Sequence, residues 1–418
     1  MSQEQSTEIL SVVHQKCCGL DIHKVKVSAT LVITEEDGSH SEEILEFGTF
    51  TEDLYQLRSW LQERECPIVA MESTGVYWRP IHNVLEDVCE VILVNPRHVK
   101  RVPGRKTDIS DSKWLAGLLR HGLLRGSYIP EKHVREWREL SRMRRVYVEN
   151  LGDYKRRVHK LLESANIKID SVASQLFGVT GRNLLQKLAL GKPITLADVQ
   201  GCTKGKLREK APELYRSIQG FFTEHTRWLL ISMLDIIAML EKQIGLIEDR
   251  LRGLMSDRSD KISMLTKVPG IEELAAMSIM AELGDNLKQF ENASVLASWS
   301  GLCPGNHESA GKRYHGKSPV KNHHLKTLMV EVAWAAIKTK NSYYREKYYR
   351  LKSRRGAKRA VIAIAHRIMK AIFHILKHGV PYRELGEGYL DRRKEQSKLH
   401  WLNKQASSIG YILIPREE

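Results

Sequence analysis

From Cys18 to Ile33 the chain reads CGLDIHKVKVSATLVI, β-branched and partly alternating, and Asp37-Gly38 then supplies a turn before a second run from Glu43 to Phe50. This pattern predicts a strand meander. A helical pattern over Glu52 to Arg64 is followed by two short apolar runs, Pro67 to Met71 and Val88 to Val94, with a helix-like segment between them. Strands alternating with helices imply an α/β sheet domain. It closes with a helix starting near Asp108 and running through KWLAGLLRHG, where Gly122 is the expected stop.

Beyond Pro130 the pattern becomes long, helical and charged. Leu140, Tyr147, Leu151, Tyr154, Val158 and Leu161 fall largely on a heptad seam that Arg144 interrupts. Leu230, Met233, Ile237, Leu240, Ile244, Ile247, Leu251 and Leu254 follow one another at gaps of 3 and 4, which is coiled-coil spacing. The two segments suit pairing within one chain as well as pairing between copies, and sequence does not choose. Residues 168–220, punctuated by Gly and Pro, read as an inserted subdomain. A third region from Lys261 holds MLTKVPGIEELAAMSIMAELGD (264–285). It reads either as a helix-hairpin-helix whose amides near Gly270 hold a phosphate or as an ordinary tight αα turn. The expected division is 12–125, 130–257, 261–378 and a basic tail, 379–418.

Composition narrows the partners. The 418 residues, 42% hydrophobic and 28% charged, exclude disordered and fibrous classes. The most apolar stretch, Trp228 to Leu240, is broken by Asp235 and falls short of the ~18 apolar residues a spanning helix needs. Glu4 and Glu8 precede any basic residue, so no signal peptide is expected, and a cytoplasmic protein without membrane partners is. Six scattered cysteines show no metal-site spacing and are expected as reduced thiols. Residues 1–90 hold 17 acids and 6 bases, and the remainder 33 against 60. That asymmetry is the footprint of a polyanion-binding protein, with nucleic acid the leading partner. From 338 to 377 basic residues interleave with Tyr343, Tyr344, Tyr348 and Tyr349, suiting phosphates and bases respectively.

Four acids stand where such a sheet would gather them: Asp21 in the first strand, Glu72 at the end of another, and Asp108 with Asp111 opening a helix. Asp108 and Asp111 are three apart and share a helical face. Asp21 interrupts an apolar strand, where a carboxylate is costly to bury unpaired. Hard oxygen ligands favour Mg²⁺, with Mn²⁺ a possible substitute, and two ions would serve phosphodiester chemistry. Taken singly, Asp108 also reads as a helix cap and Glu72 as a solvated strand end.

The motifs GLDIHK (19–24), MESTGVYWRP (71–80), VNPRHVKRVPGRKTDISDSKWLA (94–116) and GLCPGNHESAGKR (301–313), in this order, resemble the DEDD transposases of insertion sequences over most of residues 18–378. The resemblance implies a multidomain α/β plus all-α protein: a RuvC-like ribonuclease H fold, a coiled coil and a helical C-terminal transposase domain. It also implies a metal-binding tetrad of Asp21, Glu72, Asp108 and Asp111, and a serine nucleophile at Ser309. A serine hydroxyl needs activation to act so. Gly311 would admit a phosphate closely, Lys312 and Arg313 would balance its charge, and Lys24, Arg105 and Lys106 within the motifs are further expected nucleic-acid contacts. A structured guide RNA that pairs with donor and target DNA, and a homo-oligomer, dimer or tetramer, follow from the same resemblance. The chain departs from the family pattern at Asn322 and Lys326, where Gly and Arg are usual.

Two other readings compete. A RuvC-like junction nuclease would use the tetrad to activate water, leaving Ser309 a loop residue. A non-catalytic nucleic-acid scaffold would rest on the coiled coil and basic surface, and four intact carboxylates argue against it.

Overall fold

A computed structural model describes residues 11–73, 75–99, 111–305, 308–309, 312–313 and 322–414, with backbone alone at 97, 98, 308, 309, 312 and 313. The chain forms two compact units, Met1–Ile129 and Pro130–Glu418.

The first unit is built on a five-stranded mixed sheet of β1 (Lys16–Ile22), β2 (Lys26–Thr34), β3 (His40–Gly48), β4 (Ile68–Glu72) and β5 (Glu90–Val94), in the order β3-β2-β1-β4-β5. β2 is antiparallel to β1 and β3, whereas β4 runs parallel to β1 and β5. The run expected as one strand is two. His23–Val25 turns the chain, and the His23 N–H donates to the Lys26 carbonyl at 2.9 Å. Period-2 alternation divides the sheet's faces. Cys18, Leu20 and Ile22 pack with Leu54, Leu57 and Leu61 of α1 (Thr51–Glu63) and Ile81 and Leu85 of α2 (Trp78–Leu85). Cys17 and Ala70 face the other way, toward Ala116 and Leu119. After the short α3 (Pro96–Val99), α4 (Asp111–Arg120) covers that second face. Gly122 follows it in a left-handed conformation, φ 65°, the stop its position predicts.

In the second unit α5 (Lys132–Ser164) and α10 (Glu224–Leu254) lie antiparallel within one chain. Val158 and Leu162 share a core with Leu230 and Ile237, while Arg144 and Glu248 meet at 2.7 Å further along. That ion pair is why a basic residue can interrupt the α5 seam. The segment between the two helices forms α6 (Ile169–Val172), α7 (Val179–Leu190), α8 (Leu196–Cys202) and α9 (Ala211–Ser217). These pack on the pair through Leu184, Val199 and Leu214, and Arg182 clasps Glu241 of α10 at 2.6 and 2.9 Å.

The remaining core joins Val134 and Trp137 of α5 and Leu251 of α10 to α11 (Ser259–Thr266), α12 (Glu273–Leu283), α13 (Ala293–Trp299), α14 (His323–Lys338), α15 (Tyr343–Arg355) and α16 (Ala357–His378). Between α13 and α14 lie the two-residue strands β6 (Glu308–Ser309) and β7 (Lys312–Arg313), paired antiparallel. The tail forms α17 (Tyr389–Ser408), which buries no residue. Among the described residues no helix is long and apolar enough to cross a membrane.

Candidate active site

Three of the four expected carboxylates lie toward the same end of the sheet in the first unit. β1 and β4 are parallel with Gly19 beside Ala70 and Leu20 beside Met71, so Asp21 and Glu72 come next on adjacent strands, at the same end. Alternation puts both on the face covered by α4, and Asp111 is the first residue of that helix. What lets α4 approach is Gly19. A Cβ there would lie 2.1 Å from the Ser112 carbonyl oxygen and 2.5 Å from the Ala116 nitrogen, so no larger residue fits. One strand over, Thr30 Oγ1 and the buried Ser112 Oγ are 2.8 Å apart. The glycine and this hydroxyl pair hold the first turn of α4 against the sheet beside the strand ends.

Asp21 is not buried as its apolar neighbours suggest. It is the penultimate residue of β1, its side chain is 26% exposed, and His23 Nε2 lies 3.2 Å from its Oδ2. The strand end removes the desolvation cost that an interior position would impose. The donor set is all carboxylate oxygen, which suits a hard divalent cation. Among the described residues no group of three His, Cys, Asp or Glu is drawn together closely enough to hold a metal ion. Asp108, Arg105 and Lys106 lie outside the described residues, and Lys24 is exposed in the β1–β2 turn.

In the second unit Ser309 stands on β6 opposite Lys312, and Glu308 opposite Arg313; Gly311 lies outside the described residues. At the far end of this segment Asn322 caps α14, its Oδ1 accepting the Leu325 N–H at 3.0 Å. Its amide donates to Glu282 Oε2 at 3.0 Å. Glu282, 3% exposed in an otherwise apolar α12, also accepts two bonds from Arg142, at 2.7 and 2.9 Å. Arg138 donates to the Ala281 and Glu282 carbonyls at 3.2 and 2.6 Å. Burial pushes the Glu282 carboxyl up, but Arg142, Asn322 and Arg138 outweigh it and hold the group below its ordinary value. Asn322 thus joins the start of α14 to α12 and, through Glu282, to α5. The network escaped sequence reading, although a lone acid in the run LAAMSIMAELG was a signal.

Gly270 has a packing role. At φ 83° its Cβ would meet the backbone of Val332 and Ala336 in α14 at 2.5 Å. Glu272 is the N-cap of α12 and Glu273 its first residue. The turn that leads into α12 is tight, with Gly270 packed on α14. The tyrosines also divide: Tyr343, Tyr344 and Tyr348 are buried, whereas Tyr349 is 52% exposed, with Arg345 and Lys352 each 5.9 Å from its ring centre. Of the cysteines, Cys17, Cys18, Cys66 and Cys202 are buried, and none of the six forms a disulfide among the described residues. Burial pushes the Cys17 thiol up to about 12 and Cys66 to about 11, so these are inert packing groups.

Comparison with known proteins accords with this layout. A transposase family model, the DEDD type of IS110, matches residues 18–167, and one described as transposase, IS116/IS110/IS902 family, matches residues 262–350. A search of curated proteins gave no match. The first match takes in the sheet with its carboxylate edge and all of α5, and the second runs from α11 through the serine hairpin into α15. Together, in order along one chain, they make this protein a member of the IS110 family of DNA transposases.

Proposed function

We propose that this transposase cuts and rejoins DNA with a divalent cation held by Asp21, Glu72, Asp108 and Asp111 and with Ser309 as nucleophile, on sites selected by a structured RNA. The observation that carries the reading is the β1–β4 register, which brings Asp21 and Glu72 to the same sheet edge as the start of α4. The strand order β3-β2-β1-β4-β5 with β2 antiparallel supports a RuvC-like ribonuclease H fold. Carboxylate oxygens are the donors Mg²⁺ takes. When bound, such an ion polarises the phosphodiester and offsets charge developing on the attacking and leaving oxygens.

The chain's own residues do the rest. Ser309 Oγ loses its proton and forms a bond to phosphorus, while the bond to one sugar oxygen breaks and that oxygen leaves as a hydroxyl. The covalent link conserves the phosphoester for rejoining. Lys312, opposite Ser309 in the hairpin, and Arg313 supply positive charge to the phosphate. The basic surface beyond residue 90 supports binding through backbone and shape, with sequence choice left to RNA pairing. A homo-oligomer would let Ser309 of one copy serve the carboxylates of another.

The test incubates purified protein, Mg²⁺, co-purifying RNA and DNA spanning the element junction, then seeks a denaturation-resistant protein–DNA adduct mapped by mass spectrometry. An adduct at Ser309 that is lost in Ser309→Ala and Asp21→Asn and after ribonuclease treatment is the expected result. Metal-dependent cleavage that survives Ser309→Ala without an adduct would instead identify a junction nuclease. If Asp21→Asn and Glu72→Gln changed no strand-joining activity, the scaffold would replace both.

A further inference from the structure

One face of α16 forms a large groove with the end of α15 and the segment before the serine hairpin. The cavity measures about 940 Å³. Its floor is apolar, made by Leu302, Pro304, Leu351, Ile362 and Ala363. Its rim carries Arg355 at the end of α15 and Lys358, Arg359, Arg367 and Lys370 of α16. No carboxylate stands among the described lining residues. Arg367 donates to the Tyr343 hydroxyl at 3.0 Å, while Arg355, Lys358, Arg359 and Lys370 have no ion-pair partner among the described residues.

Some cations of this unit are met by acids, as Arg142 is by Glu282 and Arg182 by Glu241. Here repulsion between neighbouring cations is left uncompensated, which is the arrangement of a surface that receives a polyanion. The floor adds a second requirement. A duplex presents phosphates outward and keeps its bases stacked, so it would satisfy the rim and leave Pro304 and Ile362, neither of them buried, uncovered. An unpaired strand offers both chemistries, phosphates for the rim and base faces for an apolar bed. Position supplies the third constraint. Pro304 in the floor is five residues from Ser309, a path of at most about 18 Å, so a strand in the groove is within a few nucleotides of the hydroxyl.

We propose that this groove binds the single DNA strand adjoining the phosphate attacked by Ser309, with an unstacked base on Pro304, Ile362 and Ala363 and phosphates along the Arg355–Lys370 rim. The inference rests on the serine reading above for the identity of the strand. Rim residues position the strand and take no part in bond breaking.

The experiment measures anisotropy of a labelled oligodeoxynucleotide, its duplex and the RNA of the same sequence against full-length protein over a salt series. The variants are Arg359→Gln/Lys370→Gln, which alters only the surface, and Ala363→Trp, which fills the floor. In both, single-strand affinity should fall about tenfold while duplex affinity holds. The rim variant should also lose about 1.4 from its log–log salt slope, roughly 0.7 for each phosphate contact. Unchanged single-strand affinity in the rim variant, an equal loss for duplex, or a preference for RNA that both variants remove would overturn the proposal. An adduct at Ser309 formed at wild-type yield by the rim variant would sink the groove and spare the serine reading. Strand joining that survives Ser309→Ala, with groove binding still lost in the variants, would do the reverse.

Discussion

A side chain on Gly19 would put its Cβ 2.1 Å from the carbonyl oxygen of Ser112. The two residues belong to β1 and α4, and their contact sets how near the start of α4, with Asp111, lies to the strand ends that carry Asp21 and Glu72. Gly19→Ala should therefore do more than lower stability. Overpacking of this kind costs about 1–3 kcal/mol, measurable by urea unfolding. The same variant should lose strand cleavage at temperatures where it is still folded. Full cleavage by a destabilised but folded Gly19→Ala protein would show that the α4 spacing is immaterial to the site.

Neutralising the carboxylates should separate activity from stability. Asp21→Asn, Glu72→Gln and Asp111→Asn are near-isosteric changes at a strand end and a helix start, so melting temperatures should stay close to that of the parent protein. Mg²⁺-dependent cleavage should drop at least about 100-fold, as it does when groups that stabilise a developing charge are removed. Parallel losses of both would mean that these acids are structural.

Glu282 is a stability determinant with a defined pH window. Its carboxyl is held below the ordinary value of 4.5 by the contacts of Arg142, Asn322 and Arg138. Its contribution is therefore complete above the unfolded-state pKa and is lost as pH falls through the lower folded-state value. Glu282→Ala leaves the partly exposed Arg142 and the Asn322 amide without their buried partner, at a cost of about 1–3 kcal/mol near neutrality. Denaturant titrations of the two proteins should converge in acid, below pH 4.5. A gap independent of pH would assign the loss to packing alone.

The tyrosines of α15 should split in the same assay. Tyr344, 3% exposed and stacked near Tyr382, belongs to the core, and Tyr344→Ala should cost about 3–5 kcal/mol. Tyr349→Ala should leave stability within about 0.5 kcal/mol. If the exposed ring is a stacking platform, its removal should weaken single-strand binding by about 1–3 kcal/mol, with binding isotherms as the check.

Local pattern was enough to determine a good deal of this protein. The α/β run before Ile129, the long helix pair after Pro130 and the stop at Gly122 rest on period-2 and period-3.6 repeats that each segment carries within itself. The four ordered motifs were enough to place the chain among transposases. Contacts between distant residues were beyond that reach. That Asp21 sits at an open strand end, that His23–Val25 turns the chain, and that Gly270 meets α14 all depend on which backbones approach. So does the division of four similar tyrosines into three buried and one exposed. The pairing of α5 with α10 in one chain was undetermined because a heptad seam reads the same for a neighbour as for a copy. Glu282 with Asn322, 40 positions apart, and the basic groove on α16 exist only where packing brings separate helices together. Burial, charge pairing and shape are properties of that assembled surface, and no residue carries them in its own stretch of sequence.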